Sequence, residues 1–134
     1  MEDTLLDNKD GAPGAPVSFA DIAAALGKLL EEHKGADVTV LDLRDLNAWT
    51  DFFVIATASS SAHLQGLERH VKEFSREKGA EILRRSRKPP DGDDEWSLID
   101  FGPVVVHLMS GKARSFYELE RLWNAPVIYS SKSS

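Results

Sequence analysis

Apolar residues along this chain recur at two different spacings, and the changes of spacing mark out its elements. Ile22, Leu26, Leu29 and Leu30 repeat at the three- and four-residue interval of a helix face. Ser18 and Asp21 form a Ser-x-x-Asp variant of the capping box, Val17 and Ile22 occupy the staple positions, and Gly35 marks the stop. The β-branched run Val38 to Leu43 predicts a strand, and Asp45 to Asp51 a turn. Phe52 to Ala58 is apolar at odd and even positions alike, which predicts a central strand covered on both faces. Ser59, Ser60 and Ser61 offer N-caps for a second helix with a buried stripe of Leu64, Leu67, Val71 and Phe74, closed by a left-handed Gly79. A short strand, Glu81 to Arg84, follows, and Lys88 to Glu95 reads as an exposed acidic loop. Trp96 to Phe101 and Val104 to Met109, joined across Gly102-Pro103, are too close in sequence to be anything but an antiparallel hairpin. Ser110 caps a last helix reaching Trp123, with Ala113, Phe116, Leu119 and Leu122 or Trp123 toward the sheet. The order α-β-β-α-β-β-β-α predicts an α/β (α+β) sandwich with a mixed five-stranded sheet flanked by helices.

The flanks differ from this core. Residues 1–16 are acidic and then rich in Gly, Ala and Pro, as in a flexible arm; residues 127–134 read as a C-terminal tail whose Ser-rich end, Ser130 to Ser134, frays. Residues 17–126 then form one domain, and 134 residues with 42% hydrophobic content suit one compact core. No repeat is visible.

Composition narrows the chemistry. With no cysteine, disulfides, thiolate nucleophiles and Cys-based metal sites are excluded. No apolar run nears the roughly 20 residues of a membrane span, and the acidic Met1-Glu2-Asp3 is unlike a signal or transit peptide, so a cytoplasmic location is expected. The net charge of −6 argues against a dominant direct contact with nucleic acid; taken alone it is explained best by solubility, and for a protein working on the ribosome it would favour a basic protein partner.

Catalytic constellations are thin. His33, His63, His70 and His107 lie on three elements, and none shares a recognisable metal-ligand spacing with other donors. Ser59-Ser60-Ser61 sits at a strand-to-helix turn but lacks the G-x-S-x-G elbow, so capping explains it more simply. A nucleotidyltransferase would place Gly-Ser at this helix start and paired carboxylates on a nearby strand to hold magnesium. Here the pair is Ala58-Ser59, and the one D-x-D, Asp91-Gly92-Asp93, falls in a Pro- and Gly-rich turn. The residues imply neither enzyme, metal nor cofactor.

One strand departs from plain core patterning. Trp96, Leu98 and Asp100 share one face, and Ser97, Ile99 and Phe101 the other. If Ile99 and Phe101 pack under the helices, the Trp96 face points outward: a rigid aromatic, a Leu and a carboxylate able to pair with a basic partner. Trp96 covering an edge of the core fits the pattern equally well. Arg114, Glu118 and Arg121 read as a solvated helix face.

Four fragments, in order, resemble the Iojap-like ribosomal silencing factors. Thr50-Asp51-Phe52-Phe53-Val54-Ile55-Ala56-Thr57 is similar to T-D-x-F-V-I-x-T, and Ser60-Ser61 with His70-Val71 to a helix opening on S-S and bearing H-V. Trp96-Ser97-Leu98-Ile99-Asp100-Phe101-Gly102 with Val105-Val106-His107 resembles W-x-L-x-D-x-G-x-V-V-H, and Ala113 to Trp123 resembles A-R-x-F-Y-x-L-E-x-L-W. The resemblance implies a nucleotidyltransferase-like fold without transferase activity. It also implies binding to ribosomal protein uL-fourteen on the large ribosomal subunit, which blocks the small subunit and represses translation. Carried over by position, the contact residues are Trp96, Leu98 and Asp100, with His107 and, on the last helix, Tyr117, Arg121 and Trp123. Pro103 departs from the family's usual Asp and removes an N–H from the hairpin turn. Two other readings compete: a nucleotide-binding protein of nucleotidyltransferase type, dependent on Asp42 or Asp51, and a dimerisation module using the Trp96 face to form a homodimer.

Overall fold

Ser18 opens the first helix as expected: its hydroxyl accepts from the Ala20 and Asp21 N–H groups, and helix α1 runs Phe19–Glu32. A computed structural model of the chain describes residues 18–46, 48–88, 95–119 and 124–131. Helix α1 ends earlier than Gly35 suggests. Lys34, at φ 75°, takes the left-handed position, with Lys34 N–H donating to Glu31 O (3.1 Å) and Gly35 N–H to Leu30 O (2.8 Å). This is the paired bonding of a Schellman end. Gly35 serves it by close approach, since a Cβ there would stand 2.8 Å from the Leu30 carbonyl.

Strands β1 (Ala36–Asp42) and β2 (Phe52–Ala58) pair antiparallel, and β2 pairs in parallel with β5 (Val104–Ser110). Between them in sequence lie helix α2 (Ser61–Lys78), strand β3 (Arg84–Lys88) and strand β4 (Trp96–Asp100). Ser60 caps α2 by accepting the His63 N–H, and Gly79, at φ 66°, closes it. The expected hairpin forms, β4 antiparallel to β5, with Gly102 at φ 97° in the link.

The sheet has six strands, in the order β3-β4-β5-β2-β1-β6, rather than five. The extra strand, β6 (Val127–Ser130), lies in the stretch expected to be a tail outside the domain and pairs antiparallel with β1. Its largely exposed side chains are those of an edge strand, whose pairing depends on β1 having a free side rather than on burial. One anchor is visible: Tyr129 packs on Gly27 of α1, where the missing Cβ leaves room, and its hydroxyl bonds Glu31.

β3 begins at Arg84, three residues later than the spacing predicts, and Leu83 is 61% exposed. Paired only with β4, this strand has no buried face to impose alternation. Glu95 is also misplaced by sequence reading: it is buried and accepts from Ser61 Oγ at 3.3 Å instead of joining a solvated loop.

The last helix is shorter than expected. α3 spans Gly111–Tyr117, and Glu118, at φ 46°, turns left-handed with its N–H on Arg114 O. With the helix ended, the phase that would bury Phe116 is lost, and Phe116 is 77% exposed. Arg114, expected in solvent, is 7% exposed. The expected arm at residues 1–16, the loop acids Asp91, Asp93 and Asp94, and Arg121, Leu122 and Trp123 lie outside the described residues.

Two apolar layers cover the sheet. Under α1 and α2 lie Leu26, Leu30, Val40, Val54, Leu67, Val71, Ile99 and Val106. On the opposite face Leu41, Phe53, Ile55, Val105, Met109, Ala113 and Leu119 form a second cluster, against which Trp96, Leu98 and Tyr117 pack in part. β2 is therefore central and covered on both sides, as its unbroken apolar run requires.

Candidate functional site

Alternation along β4 sends Ile99 into the layer under α1 and α2, and so turns Trp96, Leu98 and Asp100 to the other face. In the β4–β5 register, Trp96 stands opposite Met109, Leu98 opposite His107, and Asp100 opposite Val105. Residues directly opposed in an antiparallel pair share a face, so His107 joins Trp96 and Leu98. α3, capped by the Ser110 hydroxyl on the Ala113 N–H, brings Tyr117 over the same patch. The Trp96 and Tyr117 rings lie 4.6 Å apart, and Trp96 and His107 5.7 Å apart.

This patch is less open than the strand pattern suggests. Trp96, Leu98 and Tyr117 are half-buried, while Asp100 is 8% and His107 2% exposed. The correction has a simple cause: a short helix and the 43–51 connection partly roof the face. His107 thus holds the patch from below. Its Nδ1 accepts the Trp96 indole N–H at 3.1 Å, fixing the ring's tilt, and Phe53 meets it edge-on at 4.4 Å. Accepting at Nδ1 assigns the proton to Nε2, and Nε2 is buried with no hydrogen-bond partner among the described residues. Burial first, and the Arg114 charge second, lower the His107 pKa to about 3. The ring is neutral at physiological pH.

Asp100 sits at the far end of the patch. One oxygen accepts the Gly102 N–H at 2.7 Å, shaping the hairpin turn, and the other meets Arg84 at 3.3 Å. The structure brings Trp96, Leu98, His107 and Tyr117, grouped before only through the resemblance, onto one patch, while the sequence reading missed that Asp100 is largely spent on the turn. That reading also missed two exposed aromatics flanking this side: Phe116, whose ring meets Tyr117 at 5.0 Å, and Trp49, 6.0 Å from the buried Phe53. The signal for Phe116 was available only once the helix end at Glu118 was known.

Other sites offer little chemistry. His63 Nδ1 accepts the Ser59 N–H (2.9 Å) and lies 3.1 Å from Ser59 Oγ, while Nε2 reaches the His33 carbonyl at 3.0 Å. The ring braces the α2 start against the α1 end, and a lone pair shared with a backbone N–H is a poor general base. Asp42, a carboxylate a nucleotidyltransferase would need free, is gripped by Arg44 at 3.0 and 2.7 Å. That side-chain bond lowers its pKa. Among the described residues no group of three or more His, Asp or Glu is placed to hold a metal ion, and no helix is long and apolar enough to cross a membrane.

Comparison with known proteins bears on the family and the fold. A family model described as "Ribosomal silencing factor during starvation" matches residues 16–133. The ribosomal silencing factor of Treponema pallidum is 37% identical over 101 residues, which are 75% of this chain and 88% of that protein. The chloroplast protein Iojap of Zea mays is 33% identical over 120 residues, 84% of this chain but 51% of the plant protein, so the chain spans about half its length. A mouse protein named for mitochondrial assembly of the ribosomal large subunit is 34% identical over 99 residues, 73% of this chain and 43% of its own. A crystal structure of a Chromobacterium violaceum protein superposes with a TM-score of 0.70 at 27% identity, covering 87% of this chain and 95% of the other.

Proposed function

The chain belongs to the ribosomal silencing factor family, and from that premise we propose that it binds the large ribosomal subunit through ribosomal protein uL-fourteen. Seated there, it keeps the small subunit from joining and so represses translation, with no catalytic turnover. The family match over nearly the whole chain carries this reading. The name of the mouse relative points to the large subunit as the partner.

The Trp96 patch is the surface proposed to make the contact. Trp96 is half-buried, held in tilt by the His107 bond and backed by Tyr117. A large aromatic fixed before binding loses little rotamer freedom on docking, which is the physical profile of a hot spot. Leu98 adds apolar area beside it, and Asp100 with Arg84 forms the polar margin. A net charge of −6 suits approach to a basic ribosomal protein. Arg121 and Trp123 are proposed to extend the patch from the chain after α3.

Sedimentation with isolated large subunits tests the proposal. Wild type is expected to pellet with the subunit, and Trp96→Ala to bind at least thirtyfold more weakly, a loss of ~2 kcal/mol typical of a truncated hot spot. Leu98→Arg, a change on a half-exposed side chain, guards against loss of fold as the cause. If the wild type stays in the supernatant, the silencing reading is wrong. Binding that survives both changes keeps the partner and moves the contact elsewhere.

A further inference from the structure

The chain is acidic as a whole, yet its charge is sharply divided. Residues 68–88 hold eight of the 16 Lys and Arg and four of the 22 Asp and Glu, a balance of +4 against −10 for all the rest. The fold gathers this segment on one flank. β3, Arg84-Arg85-Ser86-Arg87-Lys88, is the outermost strand of the sheet and pairs with β4 alone. Its Arg85 and Arg87 stand opposite Ile99 and Ser97, on the face that carries α2. On α2, Arg69, Lys72 and Arg76 follow at intervals of three and four, one stripe of a helix. Strand and helix meet over a hollow of about 330 Å³ lined by Glu68, Lys72, Arg85, Ser86, Arg87 and Ser97.

Within the hollow the charges are unevenly matched. Glu68 is fully engaged, taking Arg87 at 2.6 Å on one oxygen and the Ser97 hydroxyl on the other. Arg85 and Lys72 have no ion-pair partner among the described residues. Two unneutralised cations on an open strand edge form a site for an anion with several acceptor oxygens.

We propose that the α2–β3 flank is a second contact surface, one that grips the phosphate backbone of RNA. The chemistry favours phosphate over a carboxylate partner. Three of the four cations on β3 are arginines, whose planar forks meet phosphate oxygens two at a time, and a stripe of evenly spaced cations matches a repeating charge. Protection of an edge strand against unwanted pairing also explains charge on β3. It does not account for Lys72 of α2, which lines the same hollow from the helix side. The choice of RNA rests on the ribosomal reading, because a factor seated on the large subunit has RNA around it. On this arrangement the Trp96 face sets position, and the basic flank adds an electrostatic hold that salt weakens.

The test uses the whole protein, with no ribosome present, so that its failure and the failure of the silencing reading remain separate. Binding of a fluorescently labelled RNA duplex of mixed sequence is followed by anisotropy across a series of salt concentrations. Wild type is compared with the Lys72→Glu/Arg85→Glu double variant, its fold checked by circular dichroism, and with Trp96→Ala. Wild type is expected to bind with an affinity that falls steeply with salt. The folded double variant should bind at least tenfold more weakly. Its logarithmic salt slope should be shallower by about two, because two phosphates are no longer neutralised, while Trp96→Ala binds as wild type does. Absence of binding by the wild type overturns the proposal, as does an unchanged affinity in the double variant. Equal displacement of the RNA by poly-glutamate overturns the assignment to phosphate.

Discussion

Replacing Arg114 with Met is expected to destabilise the folded protein by about 3 kcal/mol, the scale of leaving buried acceptors without their donor. Arg114 is buried at the junction of α3 with the sheet. Its guanidinium donates to Thr57 Oγ1 at 3.0 Å, to the Asp37 carbonyl at 2.8 Å and to Thr39 Oγ1 at 3.3 Å. The backbone bends to meet it: Asp37 has φ 49°, and the β1–β2 register shifts between Ala36 and Thr39. Met fills the space but leaves buried oxygens without the donor. Arg114→Lys keeps the charge on a point donor that cannot span three acceptors, so it should recover only part of the loss. Urea unfolding midpoints at pH 7 check both. A change below about 1 kcal/mol for Met, at the level of an ordinary surface substitution, would mean that α3 is held by its apolar contacts alone.

Arg114 also shows where sequence reading stops. The Ser110 cap and Ala113 were legible, and Arg114 lies on the same side as Ala113 and Tyr117 at helical spacing. A helix continued to Trp123 imposes a different phase, one that buries Phe116 and exposes Arg114. The error follows from the end of the helix, and that end is set by Glu118 adopting φ 46°, a conformation no residue type demanded. By contrast α1, α2 and β2 were legible because caps and periodicity agree with burial: Ser18 and Ser60 cap, Leu64, Leu67, Val71 and Phe74 are buried, and Phe52 to Ala58 runs through the middle of the sheet.

The edges of the sheet were the least legible part, for the same reason at both ends. β3 and β6 each pair on one side only, so neither needs the alternation that reveals a half-buried strand. β3 is written in cations, so the strand is expected three residues too early, and β6, mostly exposed, reads locally as tail. Of the site, strict strand alternation puts Trp96, Leu98 and Asp100 on one face, but which face of the neighbouring strand joins them, and with it His107, follows only from the register. Nor could the sequence show that α3 roofs that face, since the roof depends on a loop-and-helix connection with no period of its own.

Burial of His107 makes its second consequence measurable as a pH dependence. The unfolded chain protonates this His near 6.5, whereas the folded chain holds it neutral down to about 3. The unfolded state therefore binds more protons throughout that window, and stability falls as pH drops through it. At pH 5 the differential amounts to about 2 kcal/mol, from ~1.4 kcal/mol per pH unit. His107→Gln, which keeps an acceptor near the Trp96 indole, should lose that much less stability than wild type between pH 7 and pH 5 in urea titrations. His33, His63 and His70 are present in both proteins, so they cancel in the comparison. Arg114→Met should move the His107 titration upward, since the guanidinium is the second cause of the depression. Equal pH slopes in wild type and His107→Gln would mean that the ring protonates in place, and the Trp96 N–H would then lose its acceptor as the solution turns acidic. With the depressed value, the Trp96–His107 bond lasts wherever the protein is folded, and the shape of the proposed contact patch does not change with physiological pH.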